Sequence, residues 1–277
     1  MTGHAPGVYD IPEAGYFADP ALSCSGAKLL LPPSCPALFR WRQDHPEHKR
    51  AWDFGSAAHR LVLGQGADFV VIDADSYRTK AAQKARDAAQ AIGAAPVLTH
   101  EHKQILAMAE AIRRHPIAGP LLNPDLGGVP ERSLFWTDEE TGVSRRCRID
   151  WLPSWQIGRL IVTDYKTCAS ADRDSIAKAV ANYGYHMQDA WYCDGTRALG
   201  LDDDPAFVFI FQEKTAPYLV NIAQLDDVSR MAGQRRNREA IERFRDCTET
   251  DRWPGYSDDV EYISLPPWAA RSMGVYA

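Results

Sequence analysis

Apolar and polar positions along the chain fall into two regimes. In the front half, apolar residues recur with helical spacing. Residues 23–31 predict a short helix, capped by Ser23 or Ser25 and stopped by Pro32-Pro33. A second short helix follows from Pro36 to about Gln43. Residues 54–63 are again helical and end at Gly64, and residues 69–72 are a short strand. Two Ala-rich amphipathic segments, 76–93 and 99–115, both predict helices. Residues 1–20, rich in Gly, Pro and Asp, carry neither period and predict a loose arm.

Past residue 126 the pattern changes to strand-like runs at 132–137, 145–152, 160–166, 206–213 and 218–222. Asp138-Glu139-Glu140-Thr141-Gly142 joins the first two as a hairpin turn. Helices over 172–182 and 185–199 lie between the third and fourth strands, and a long charged helix over about 225–247 follows the last. No repeat of fixed period is present. The pattern predicts an α/β domain at 21–277, with a mixed central sheet flanked by helices and a helical N-terminal elaboration. Its parts are a helical part at about 21–125, a sheet-bearing core at about 126–225, and a C-terminal helix and tail at about 226–277.

Composition narrows the class. A length of 277 residues suits one large domain. Hydrophobic residues at 45% and charged residues at 25% exclude a disordered chain, a coiled coil and a collagen-like repeat. The net charge of -6 argues at first against nucleic acid as a partner. The six cysteines are scattered, with no C-x-x-C pair, which argues against zinc, an iron–sulfur cluster and a disulfide framework. The first residues lack a basic region and an apolar run, and the longest apolar stretch, 206–211, is too short for a bilayer. A cytoplasmic protein with no membrane contact is expected.

Candidate chemistry is concentrated between Glu131 and Tyr192. Asp150 ends one strand-like run, and Asp164-Tyr165-Lys166 ends the next. Side chains alternate on a strand, so Asp164 and Lys166 share a face. If the two strands pair, Asp150 lies beside Asp164, and Glu131 at the start of the preceding strand comes near the same edge. Carboxylates gathered at strand ends suit a hard divalent cation. Such an ion activates water and polarises a phosphoryl oxygen, and a neighbouring lysine stabilises the charge that develops on phosphorus. A lone D-x-K is common by chance and equally fits a solvated hairpin. Three features add weight. Gln188 and Tyr192 share one helix face, His59 follows a small-residue turn, and Arg146 and Arg148 alternate with Asp150, offering charge for phosphate contact.

Together these residues resemble the PD-(D/E)XK nuclease superfamily, and most closely the RecE/exonuclease VIII-type nuclease domain of phages. The matching pieces are Gly55-Ser56-Ala57-Ala58-His59, Glu131 to Gly142, Cys147-Arg148-Ile149-Asp150, Asp164-Tyr165-Lys166-Thr167 and Tyr185 to Tyr192. The resemblance implies a restriction-endonuclease-like fold. It implies a DNA exonuclease that needs Mg²⁺ or Mn²⁺, acts 5′→3′ on double-stranded ends and serves phage-type recombination. His59, Glu131, Asp150 and Asp164 match metal-site residues, with the Tyr165 carbonyl as a further ligand. Lys166 matches the catalytic lysine, and Gln188 and Tyr192 match the helix that lines the site. A ring-shaped homo-oligomer and a single-strand annealing recombinase partner are implied by the same analogy. The alternatives are an endonuclease on the same core and a non-catalytic DNA-end-binding protein. Some related branches carry a four-cysteine iron–sulfur cluster, but Cys24, Cys35 and Cys247 supply no such set, so none is expected.

Other motifs have plainer readings. His100-Glu101-His102 and His45-Pro46-Glu47-His48 lack metal-ligand spacing, and Gly64-Gln65-Gly66 lacks a dinucleotide fingerprint. Trp41 between Arg40 and Arg42 suits either a stacked base or a core residue. Arg235-Arg236-Asn237-Arg238 suits a solvated helix face, and His186 suits capping or packing.

Overall fold

The computed structural model describes residues 3–45, 50–64, 68–153 and 158–274. The readings at His48 and Gly66, and the segment 154–157 within the second expected hairpin connection, lie outside the described residues.

The first hairpin organises the sheet. Strand β5 (Val129–Thr137) turns into β6 (Ser144–Leu152) through residues 138–143, the five expected to turn and Val143. There Asp138 accepts the Thr141 amide on its carboxylate, and Gly142 takes a φ of 70° that a side chain would strain. β7 (Ile161–Cys168) runs antiparallel to β6. A crossover through α8 (Arg173–Tyr183) and α9 (Tyr185–Ala198) then returns the chain to β8 (Ala206–Glu213), parallel to β7. β9 (Val220–Ala223) closes that edge antiparallel, and α10 (Asp227–Thr250) follows. Short β1 (Gly7–Tyr9) pairs with β5 at the opposite edge. The result is the mixed sheet expected from the sequence.

One irregularity positions the site. β6 pairs with β7 only near its end, at Trp151 opposite Thr163. Near its start, at Arg145 and Arg146, β6 pairs instead with β2 (Leu22–Ser23). The two central strands therefore fork. β2 leads into α2 (Cys24–Leu29), whose N-terminus is capped by the Ser23 hydroxyl, one of the two caps expected.

Each face of the sheet buries an apolar layer. On one, α2, α9 and α10 cover Leu134, Trp136, Cys147, Ile149, Val162 and the Phe207, Phe209 and Phe211 stripe. α9 crosses close to its neighbours because Gly195 abuts the Trp136 ring and Gly233 of α10 abuts the His186 carbonyl. On the other face, α4 (Arg50–Leu63), α6 (Thr99–Arg114) and α7 (Ala118–Leu121) cover Trp151, Tyr165 and Ile210. The remaining elements are peripheral: α3 (Pro36–Asp44), β3 (Phe69–Ile72), α5 (Lys80–Ala91), β4 (Ala95–Leu98) and α11 (Pro267–Ser272). β3 and β4 form a separate parallel pair, and β4 was not expected from the sequence. Among the described residues no helix is long and apolar enough to cross a membrane.

The N-terminal segment departs from the loose arm expected. Besides β1 it forms α1 (Glu13–Ala18), and Tyr16 is buried against Phe135. Three arginines of the hairpin hold it. Arg132 pairs with Asp10, Arg146 donates to the Tyr16 carbonyl, and Arg148 donates to the Ile11 carbonyl. A six-residue helix is too short to show a period, so these anchors, distant in sequence, were invisible in the pattern.

Candidate active site

The fork between β6 and β7 opens a cleft of about 550 Å³. The Trp151–Thr163 register places Asp150 across from Asp164. Asp150 Oδ2 accepts the Tyr165 amide at 2.8 Å, so a side chain takes a backbone donor where the strands part. Asp164 is almost wholly buried. Its Oδ1 accepts from Gln188 Nε2 of α9, and Lys166 Nζ lies 2.6 Å from its Oδ2. As the alternation requires, Asp164 and Lys166 share a face. The Lys166 ammonium also stands 5.3 Å from the ring centre of Tyr185, the first residue of α9.

Glu131 enters from β5. The β5–β6 register sets it opposite Asp150, yet its φ is 56°, in the left-handed region. The pleat changes phase there. Leu134, Trp136, Cys147 and Ile149 face one layer, so alternation would put Trp151 in it as well; instead Leu152 joins that layer and Trp151 packs in the other. Backbone strain of this kind costs about 1–3 kcal/mol and persists where the surroundings enforce it. Here it accompanies a carboxylate held by Arg148 Nε at 2.5 Å.

His59 arrives from α4, on the opposite face of the sheet from α9, with its ring 5.2 Å from that of Tyr165. Its Nδ1 is 3.6 Å from Asp150 Oδ2. One ligand atom each from His59, Glu131 and Asp150 fall within 4.8 Å of one another.

Electrostatics agree with a cation-binding role. Burial, then the neighbouring Asp164, raises Asp150 to about 8. Burial and Asp150 raise Glu131, against the pull of Arg148. These carboxylates crowd each other where water is scarce, and a divalent ion would relieve them. Burial, then Lys166, lowers His59, which leaves a neutral imidazole suited to ligation. Two carboxylates and one imidazole fit a small divalent cation, and the carboxylate oxygens suit Mg²⁺ or Mn²⁺. For Lys166, burial opposes the charge, but Asp164 and Asp150 outweigh it and hold the ammonium above its ordinary range.

The family of PDDEXK-like domains of unknown function (DUF3799) matches residues 23–266. The chain belongs to that family. A search of the curated proteins finds no match. Among solved structures, a crystal structure from Eubacterium rectale described as a "Putative exonuclease" superposes with a TM-score of 0.62 at 15% identity, covering 95% of this chain and 98% of that one. The likeness is one of fold, and it agrees with the restriction-endonuclease-like core expected from the sequence.

Within this PDDEXK-like domain, the structure sorts the residues singled out by sequence. His59, Glu131 and Asp150 converge, while Asp164, across from Asp150, is engaged by Lys166 and Gln188. Tyr165, Lys166 and Tyr192 line the cleft. Arg148 also lines it but is paired with Glu131. Arg146 does not fit the expectation of phosphate contact. Only 8% exposed, it packs on the Tyr16 ring and anchors α1. Trp41 stacks on His45 and is not part of the cleft lining. Arg236 and Arg238 serve structure, on the Pro32 carbonyl and Asp138 respectively. Sequence reasoning missed Glu13, Tyr16 and Phe17 of α1, which form one lip of the cleft, and Tyr185 beside Lys166. Only the aromatic character of Tyr16-Phe17 could have drawn attention to that lip.

Proposed function

We propose that this chain is a metal-dependent DNA exonuclease. The observation that carries the reading is the meeting, in one cleft, of the His59–Glu131–Asp150 cluster with Lys166, which is paired to the buried Asp164. The neighbouring fold described as a "Putative exonuclease" supports the same class. His59, Glu131 and Asp150 would hold Mg²⁺ or Mn²⁺, which would supply charge to activate water and polarise the phosphodiester. Lys166, kept cationic by Asp164, faces the charge that builds on phosphorus in the transition state. Its raised pKa favours this electrostatic part over that of a base. Gln188 orients Asp164, which fixes the lysine. Tyr192 closes one wall of the cleft.

The RecE-type resemblance extends the proposal to 5′→3′ digestion of double-stranded ends in phage-type recombination. It also extends to a homo-oligomeric ring and to a single-strand annealing recombinase as partner. In this reading the protein works in the cytoplasm. The test is digestion of linear duplex labelled at either end, with Mg²⁺, Mn²⁺, Ca²⁺ or chelator, beside a covalently closed circle. Progressive loss of the 5′ label with Mg²⁺ or Mn²⁺, and a circle left intact, is expected. Cutting of the circle would make it an endonuclease, and digestion in chelator would sink the metal mechanism.

A further inference from the structure

We propose that Phe17 is a stacking platform for an unpaired nucleobase next to the phosphate that is cut, so that the site receives its strand already separated. The inference rests on the nuclease reading and names the form of nucleic acid the cleft accepts.

Four observations lead there. Phe17 is 64% exposed, although large aromatic side chains ordinarily bury most of their surface. It lines the same cleft as His59, Glu131, Asp150 and Lys166, so a base attached to a bound phosphate is within its reach. The ring is carried on an anchored segment. Tyr16 beside it is buried and makes an edge contact at 5.4 Å, its carbonyl is held by Arg146, and the Ile11 carbonyl is held by Arg148. On the other side of α1, Asp19 accepts the Ala21 amide at 2.7 Å and contacts the His4 ring. An exposed aromatic fixed in this way pays little ordering entropy when a flat partner arrives. Finally, the cleft of about 550 Å³ has room for a nucleotide beside the ring. Aromatic faces bind bases of any sequence, which suits an enzyme that must degrade whatever it meets.

The test compares the wild type with Phe17→Ala, Phe17→Leu and Phe17→Trp on short end-labelled single strands in Mg²⁺ or Mn²⁺. A matched set of strands carries one abasic nucleotide, stepped along the cleavage register. For Phe17→Ala and Phe17→Leu, KM should rise about tenfold on intact strands, with a smaller fall in kcat, and Phe17→Trp should restore binding. On the strand whose abasic position meets residue 17, wild type and Phe17→Ala should converge. Leucine keeps the apolar bulk, and circular dichroism with a melting curve confirms that each variant folds. The proposal is overturned if Phe17→Leu matches the wild type, or if the penalty of Phe17→Ala is equal on intact and abasic strands at every position. A wild type that cuts no nucleic acid with either metal instead overturns the nuclease reading beneath it.

Discussion

At the scale of single residues, the cluster makes stability depend on pH and cation together. Asp150 in the folded chain holds its proton up to about pH 8, whereas the unfolded chain loses it near the ordinary carboxylate value. Between those values the native state binds the extra proton, so stability falls as pH rises. Glu131, also raised, acts in the same direction. His59 is lowered and acts oppositely, but only below its unfolded value near 6.5. The clean window is therefore about pH 6.5 to 8.5. In chelator the melting temperature should drop across it by a few degrees, on the order of 1–2 kcal/mol. Saturating Mg²⁺ should remove the drop, as should Asp150→Asn. A flat profile in chelator would contradict the assignment. Lys166→Ala separates the other half of the site. It should lower the cleavage rate roughly 10²–10³-fold, as loss of one charge-stabilising group does, while titration calorimetry still detects the cation. Full activity in that variant would remove Lys166 from the mechanism. Asp164, Lys166, Gln188 and Tyr192 were legible in the sequence because strand alternation and the i, i+4 rule are local. Tyr185 beside Lys166 and the burial of Arg146 were not, because both depend on segments distant in the chain.

At the scale of elements, every strand of the central hairpin and both crossover helices were legible, since each carries several turns or pleats of one period. What the period could not show is the change of phase at Glu131 and Asp150. Strict alternation assumes extended backbone throughout, and a glutamate at φ 56° breaks it without adding a residue to the register. The break turns two opposed strand residues into a shared acidic centre. This leads to a comparison of Glu131→Ala with Glu131→Gly. Both remove the carboxylate from the metal cluster and from Arg148, so both should lose cleavage. Glycine adopts the left-handed conformation freely and alanine does not. Glu131→Gly should therefore be the more stable of the two by about 1 kcal/mol in urea unfolding. Equal stabilities would show that the backbone at this position carries no strain.

At the scale of the whole molecule, the net charge of -6 looked at first like an argument against nucleic acid. It is better read as a statement about retention. Part of the acidic excess sits at the candidate site, where burial and the crowding of Asp150 against Glu131 and Asp164 favour a cation. Arg132, Arg145, Arg146, Arg148, Arg230 and Arg238 are spent on internal pairs and carbonyls. With an acidic balance over the whole chain, binding of one chain to bulk DNA should be weak and salt-sensitive. If the chain works as the exonuclease proposed above, the ring of copies proposed with it would hold the substrate by enclosure, without new phosphate contacts. Initial binding and run length should therefore respond differently. Raising salt from 50 to 200 mM should lower the rate of engaging a linear duplex by tenfold or more. The length digested per engagement, measured with a trap for released enzyme, should change much less. On that proposal, dilution below the dissociation point of the proposed ring, followed by light scattering, should shorten the runs on duplex yet leave turnover per chain on short single strands unaltered. Run lengths that fall with salt in step with binding would mean that phosphate contacts of the single chain do the holding, and the enclosed arrangement would be discarded.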